Sequence, residues 1–205
     1  MVSETTSTWS DVAAVLDEGW ILHLAILGLD QRPISLPLLY VRDEHSLLLH
    51  GAARNELLRG VSGTDIVSGT VTLIDGLVAA RSAFQSSVAY RSVMLRGRIA
   101  SLQDGDKEAA LIRITDGLIP GRREEIRDST TGEIRATTVL RLEIVEATLR
   151  VSPLTVDDTP SDRNRDTWAG VVPINLNADL PQAAQDVPSS TVVPPSIRAW
   201  QPRRG

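Results

Sequence analysis

The chain has 205 residues, 42% of them hydrophobic, and a net charge of −5. That suits one domain with a real core, and it argues against a nucleic-acid binder, which would normally show a basic face. Cysteine is absent, which rules out disulfides, iron–sulfur clusters and thiolate-held zinc. No apolar run reaches the roughly 20 residues of a membrane span. The polar, acidic opening MVSETTSTWSD does not read as a signal peptide, so a cytoplasmic protein is expected.

In chain order, Val12, Val15 and Leu16 share one helical face. They predict a helix over 11–18, capped by Ser10 and closed by Gly19. Trp20 to Leu27 is short and evenly apolar and predicts a strand. His23 lies in it beside Ile21, Ala25 and Leu27 and reads as an interior histidine. Pro33 to Arg42 predicts a second strand whose two prolines suggest an edge or a bulge. Asp43-Glu44 turns it into a third strand, Ser46 to His50, and places His45 at the surface. A short helix is expected over Arg54 to Arg59, where Leu57, Leu58 and Val61 recur at helical spacing. Strand four is expected over Ile66 to Ile74, with Asp75-Gly76 as its turn and Leu77 to Arg81 as a continuation of the sheet. Strand five covers Val88 to Ser101, and Gly97 inside it suggests a bulge or a close backbone approach.

Asp104 to Leu118 predicts an amphipathic helix with Ala110, Leu111, Ile114 and Leu118 inward, ended by Pro120-Gly121. Thr130-Thr131-Gly132-Glu133 has the form of a capping box. Thr138 to Val151 alternates apolar and polar residues and predicts strand six. The apolar island Trp168 to Pro173 follows a polar stretch. Residues 176–205 are rich in Pro, Ser and Gln, without a period, and are expected to be a disordered tail. The domain is expected to span 10–175, after a flexible start over 1–9. Six strands with short turns suggest a small antiparallel barrel, which removes exposed edges.

Several side chains suggest a site. Tyr90-Arg91-Ser92 sets a ring, a cation and a hydroxyl together at a strand entrance. An arginine's fork of donors matches a phosphate, or equally a carboxylate such as Glu143. Arg54 opens the expected short helix, as a phosphate cation or a surface charge. His50 precedes small residues that let a ligand approach the backbone, or is a half-buried polar residue. Trp168 could cover a flat cofactor or anchor the C-terminal arm. Three scattered histidines have no metal-site spacing. Ser87 and Ser92 lack His–Asp partners.

The order LPLLYVRD, LLLHGAAR, VSGTVTLIDGLVAARSAF, YRSVMLRGR and WAGVVP resembles the FMN-binding split-barrel superfamily. Its pyridoxamine 5'-phosphate oxidase-related branch, which includes the nitroimidazole-resistance proteins, is the most similar. The resemblance spans residues 10–175 and implies a mainly β fold with few helices, a six-stranded antiparallel split β-barrel. It also implies a homodimer holding FMN in clefts between subunits. Leu36 to Tyr40 would then meet the flavin ring through its backbone. His50, Gly51, Ala52, Ala53 and Arg54 would lie along the ribityl chain and phosphate. Thr70 and Thr72 would reach the ribityl or ring edge, Tyr90, Arg91 and Ser92 would line the cleft, and Trp168 would cover the ring. Ala52, Gln85, Ser86 and Ala89 depart from the branch's pattern of a serine, two histidines and an asparagine, so chemistry resting on those groups is not expected of this chain.

Three functions are therefore expected in rank. The first is a flavin-dependent oxidoreductase reduced by NADH or NADPH that passes electrons to a small organic acceptor, with Tyr90 as the best proton donor. The second is a flavin- or haem-binding module without turnover. The third is a cofactor-free scaffold whose proline-rich tail recruits an SH3-like partner.

Overall fold

The structure is a computed structural model that describes residues 8–28, 32–55, 58 and 66–203. Helix α1 (Trp9–Glu18) leads into strand β1 (Ile21–Leu27), followed by β2 (Pro33–Asp43), β3 (Ser46–Ala52), β4 (Ile66–Ala79) and β5 (Ser87–Ser101). Helix α2 (Asp104–Leu118) and a 3-10 turn (Arg122–Glu125) precede α3 (Thr131–Ala136) and β6 (Thr137–Ser152). One-turn helices α4 (Pro160–Arg163) and α5 (Pro195–Arg198) flank β7 (Gly170–Pro173). The strands pair in the order β1-β2-β3-β6-β5-β4-β7, and β1 also pairs with β4. Every pairing is antiparallel. Six strands thus close a ring, consistent with the split-barrel fold, and β7 extends β4 beyond it.

Two apolar layers hold this ring. Its interior is filled by Leu22, Leu24, Tyr40, Leu47, Leu49, Val71, Val93, Ile99, Leu140 and Leu142, with Val12, Val15 and Leu16 of α1 closing one opening. On the outer side, α2 lays Ala110 and Ile114 over Val41, Leu48 and Val139. The period of two along each strand sorts side chains between these layers. Tyr40 is fully buried and donates from its hydroxyl to the carbonyl of Leu16 at 2.6 Å, tying β2 to α1. Tyr40→Phe leaves that carbonyl without its donor, and we expect a loss of about 1–2 kcal/mol in chemical denaturation. An unchanged midpoint would show that the bond contributes nothing.

Several expectations are corrected by the tertiary contacts. The cap of α1 is Thr8, not Ser10: the Thr8 hydroxyl accepts from the Asp11 amide at 3.3 Å, and Asp11 accepts from the Thr8 amide at 2.8 Å. His23 lies on the exposed outer face of β1, because Leu22 and Leu24 take the interior. Asp75-Gly76 is a bulge and not a turn. The strand runs through to Ala79 with a register shift between Ile74 and Gly76. There is no room for a side chain at Gly76, since a Cβ would come within 2.5 Å of the Val172 carbonyl oxygen on β7. The Pro33–Leu39 stretch of β2 pairs with β1 alone, which leaves the proline positions on an edge. The short helix expected over 54–59 falls outside the described residues except for Arg54, Asn55 and Leu58, whose side chain joins the ring interior.

Candidate functional site

Apart from Arg91 and Trp168, the residues expected at a site fall into two groups at opposite ends of β6. The first is the end of β3. His50 pairs with Val139 and Ala52 with Thr137, and the Ala53 amide donates to the Ala136 carbonyl at 2.8 Å. A Cβ at Gly51 would meet only the end of the Leu58 side chain, which can move aside. Arg54 is exposed.

The second group occupies the outer face of β4, β5 and β6. Thr70, Thr72, Tyr90 and Ser92 all project from this face, because the odd-numbered residues of β5 from Ala89 to Leu95 turn inward. The Thr72 and Ser92 hydroxyls meet at 3.0 Å, and Ser92 donates to the Val71 carbonyl at 3.2 Å. Thr70 belongs to an open groove of ≈ 340 Å³ shared with Ser68, Met94, Arg96, Glu146 and Thr148. Since His50 faces Val139 and Ser92 faces Arg150, eleven residues of β6 separate the groups, roughly 35 Å at the rise of a strand. One copy of the chain does not bring them together.

Arg91 is placed apart from its neighbours. Its inward parity sends it to the end of the ring, where it donates to Glu18 at 2.7 and 3.0 Å and to Asp75 at 2.7 and 3.1 Å. These two carboxylates, Asp75 first, raise its pKa far above the ordinary value. An arginine so neutralised is a clamp between α1, β4 and β5 and has little charge left for a phosphate. The carboxylates are not the Glu143 suggested by sequence, which faces Ser46 and Arg98.

Sequence reading passed over Arg150. It is exposed on the outer face opposite Ser92, and its guanidinium lies 6.0 Å over the Tyr90 ring. Among the described residues no carboxylate pairs with it. The alternation of β6 was the available signal: Thr148, Arg150 and Ser152 share a face, and register carries that face to Met94, Ser92 and Tyr90.

Trp168 is 71% exposed and lies across Gly170, where a Cβ would approach its ring to 2.7 Å. Phe84 is 92% exposed at the β4–β5 hairpin tip. The segment before Trp168 is held down by Arg81, which donates to the buried Asp158 through both its amide, at 2.9 Å, and its guanidinium, at 2.7 Å.

Of the three histidines, His23 and His45 are exposed, the latter stacked on Trp9 at 4.4 Å. His50 is half-buried, and burial holds its pKa below the ordinary histidine value of 6.5. The unfolded chain therefore takes up a proton near that value while the folded chain resists, and stability contributed by the neutral ring is lost as pH falls. We expect the denaturation midpoint of ligand-free protein to drop more between pH 7 and 5 than that of His50→Gln. Equal drops would assign the acid sensitivity elsewhere. Among the described residues no cluster of three or more His, Asp or Glu could hold a metal ion, and no helix is long and apolar enough to cross a membrane.

A ring of six antiparallel strands with one helix closing an end and another on its side defines a split-barrel protein. The family described as pyridoxamine 5'-phosphate oxidase matches residues 8–151, and the chain belongs to it. The FAD and heme binding protein from Mycobacterium smegmatis is 33% identical, with 98% of this chain and 100% of that chain covered and a TM-score of 0.92. The flavocytochrome Anf3 from Azotobacter vinelandii is 32% identical over 97% of this chain and 91% of that chain, with a TM-score of 0.86. A putative 5-nitroimidazole antibiotic resistance protein from Bacteroides thetaiotaomicron shares the fold at 20% identity, covering 74% of this chain and 86% of that chain with a TM-score of 0.54. No curated protein matches the sequence.

Proposed function

We propose that this protein is a flavin-binding oxidoreductase that works as a homodimer, in the cytoplasm. The observation that carries the reading is the division of the site. The β3 end with His50 and Arg54 and the outer face with Thr70, Thr72, Tyr90, Ser92 and Arg150 lie too far apart for one copy. A two-fold pair can set one copy's β3 end against the other's outer face. Exposed Ile74, Val88 and Met94 on that face supply apolar area for such a contact.

In this reading Arg54 and Arg150 bind the flavin phosphates, the Thr72–Ser92 hydroxyl pair meets polar groups of the ribityl chain, and Trp168 shields the ring from water. Bound flavin supplies hydride and single-electron transfer. Tyr90 offers a phenol beside that ring and is the best-placed proton donor. The family resemblance implied FMN; the 33% identical relative, similar along nearly the whole chain, binds FAD, and FAD is the flavin we assign to the site. Its second phosphate suits a site with two arginines.

A second reading, in which the protein also holds haem, is favoured by His50. It is the half-buried histidine of the three, and its ring is kept neutral by burial, the form that ligates iron. Both relatives near one-third identity are, by name, haem or cytochrome proteins.

The test is the absorption spectrum of purified protein before and after adding FAD, FMN and haemin, followed by NADH or NADPH. Flavin uptake, bleaching by the nicotinamide and a dimer in sedimentation are expected. A colourless monomer that takes up neither flavin sinks the proposal. A Soret band that His50→Ala abolishes supports the haem reading, and one that it leaves unchanged removes His50 as ligand.

A further inference from the structure

The outer face of β4, β5 and β6 is ordered in rows, one for every second residue of β5. Register sets Ile74, Tyr90 and Ser152 in the first row and Thr72, Ser92 and Arg150 in the second. The third holds Thr70, Met94 and Thr148, and the fourth Ser68, Arg96 and Glu146. The first two rows carry Tyr90, the Thr72–Ser92 pair and Arg150, assigned above to the flavin ring, ribityl chain and phosphates. The last two line the open groove of ≈ 340 Å³, a volume at the lower end of small-molecule sites.

The groove has the chemistry of a nucleoside site. Glu146 is its one carboxylate, and Arg96 meets it at 3.6 Å in a contact that leaves both side chains mostly exposed. So loose a surface pair contributes little. The carboxylate keeps lone pairs for the paired hydroxyls of a ribose, the contact an acidic residue makes in dinucleotide sites. Met94, 48% exposed, offers a thioether to an aromatic base. Ser68, Thr70 and Thr148 add hydroxyls that donate or accept at the base edge. Spacing along the strands agrees. From Tyr90 to Arg96 β5 rises roughly 20 Å, the reach of an extended dinucleotide, and Arg150 stands between the two ends, where the phosphates belong. Glu146 lies two rows below Arg150, roughly 13 Å along β6, which keeps its charge away from them.

We infer that this groove holds the adenosine half of FAD and sets a preference for FAD over FMN, with Glu146 on the ribose hydroxyls and Met94 against the adenine. The inference rests on the flavin reading above and adds the residues that decide which flavin is taken. In the two-fold pair of that reading, the facing copy covers the groove.

Calorimetric titration of full-length, flavin-stripped protein with FAD and with FMN is the test. The parent should bind FAD about tenfold or more tighter than FMN, and Glu146→Gln should weaken FAD about tenfold while leaving FMN unchanged, as expected for lost hydrogen bonds to a charged group. Ser68→Trp, which fills the groove from an exposed position, should do the same. Arg150→Ala should weaken both flavins alike, because the phosphate next to the ribityl chain is common to them. A parent that takes up both flavins, with the ratio of their affinities unmoved in Glu146→Gln and Ser68→Trp, overturns the inference and leaves the flavin reading standing. A parent that takes up neither sinks the flavin reading itself, and this inference with it. Unchanged FAD affinity together with a raised KM for NADH in Glu146→Gln would place the electron donor's adenosine in the groove and overturn the assignment to FAD.

Discussion

Gly97→Val is expected to prevent folding outright, or to lower the denaturation midpoint by more than either Tyr40→Phe or Arg91→Ala. Gly97 sits where the register of β5 against β6 shifts, between Arg96 and Gly97. A Cβ there would strike the Glu143 carbonyl oxygen and approach Leu142 Cδ1 to 2.9 Å. The first obstacle is backbone within one of the two longest ladders of the ring, so it cannot rotate aside as a side chain would. Overpacking alone costs about 1–3 kcal/mol, and parting β5 from β6 also exposes Ile99 and Leu142, both fully buried. Gly105 is the matched control. It lies in α2 with nothing within 4 Å of an added Cβ, and Gly105→Ala should be neutral or stabilise by up to about 1 kcal/mol. Urea denaturation of both variants decides the matter. A Gly97→Val protein with the parental midpoint would contradict the strand register.

Arg150→Ala and Arg91→Ala should fail in opposite ways. Arg150 is exposed beside Tyr90 with no carboxylate partner among the described residues. Its loss should weaken flavin binding about tenfold to a hundredfold, a phosphate hydrogen bond to a charged group being worth roughly 1.5–3 kcal/mol. The midpoint of the flavin-free protein should not move. Arg91 bridges Glu18 and Asp75, with its side chain 28% exposed. Arg91→Ala leaves two carboxylates facing one another, at a cost of about 2 kcal/mol once the several kcal/mol of a broken buried pair are discounted for solvent. Flavin titration and denaturation of both variants give four values. Should Arg91→Ala lose flavin while remaining as stable as the parent, the roles assigned to the two arginines are reversed.

What the chain determined by itself is what depends on neighbours in sequence. Alternation in Thr138 to Val151 marked β6, the spacing of Ala110 and Ile114 marked α2, and Thr130 with Glu133 marked the cap of α3. Gly97 signalled its bulge because a glycine in a strand has few other uses. The motifs running through Thr70 to Ser92 were enough to place the family.

Only the tertiary structure decided which groups meet. Asp75-Gly76 has the local chemistry of a turn, but β7 arrives from about a hundred residues later and keeps the strand extended there. Glu18 and Arg91 are 73 residues apart, and no local pattern reveals that an apparent phosphate cation is already neutralised. Arg150 looked like any solvent-facing strand residue until register set it beside Ser92 and Tyr90. The segment over 174–203 has no period to read because it forms no regular element over most of its length. Ser196, Trp200 and Arg203 hold it, each finding a partner more than 70 positions away. Periodicity reports the face a residue occupies, whereas pairing across such separations depends on how the whole ring closes.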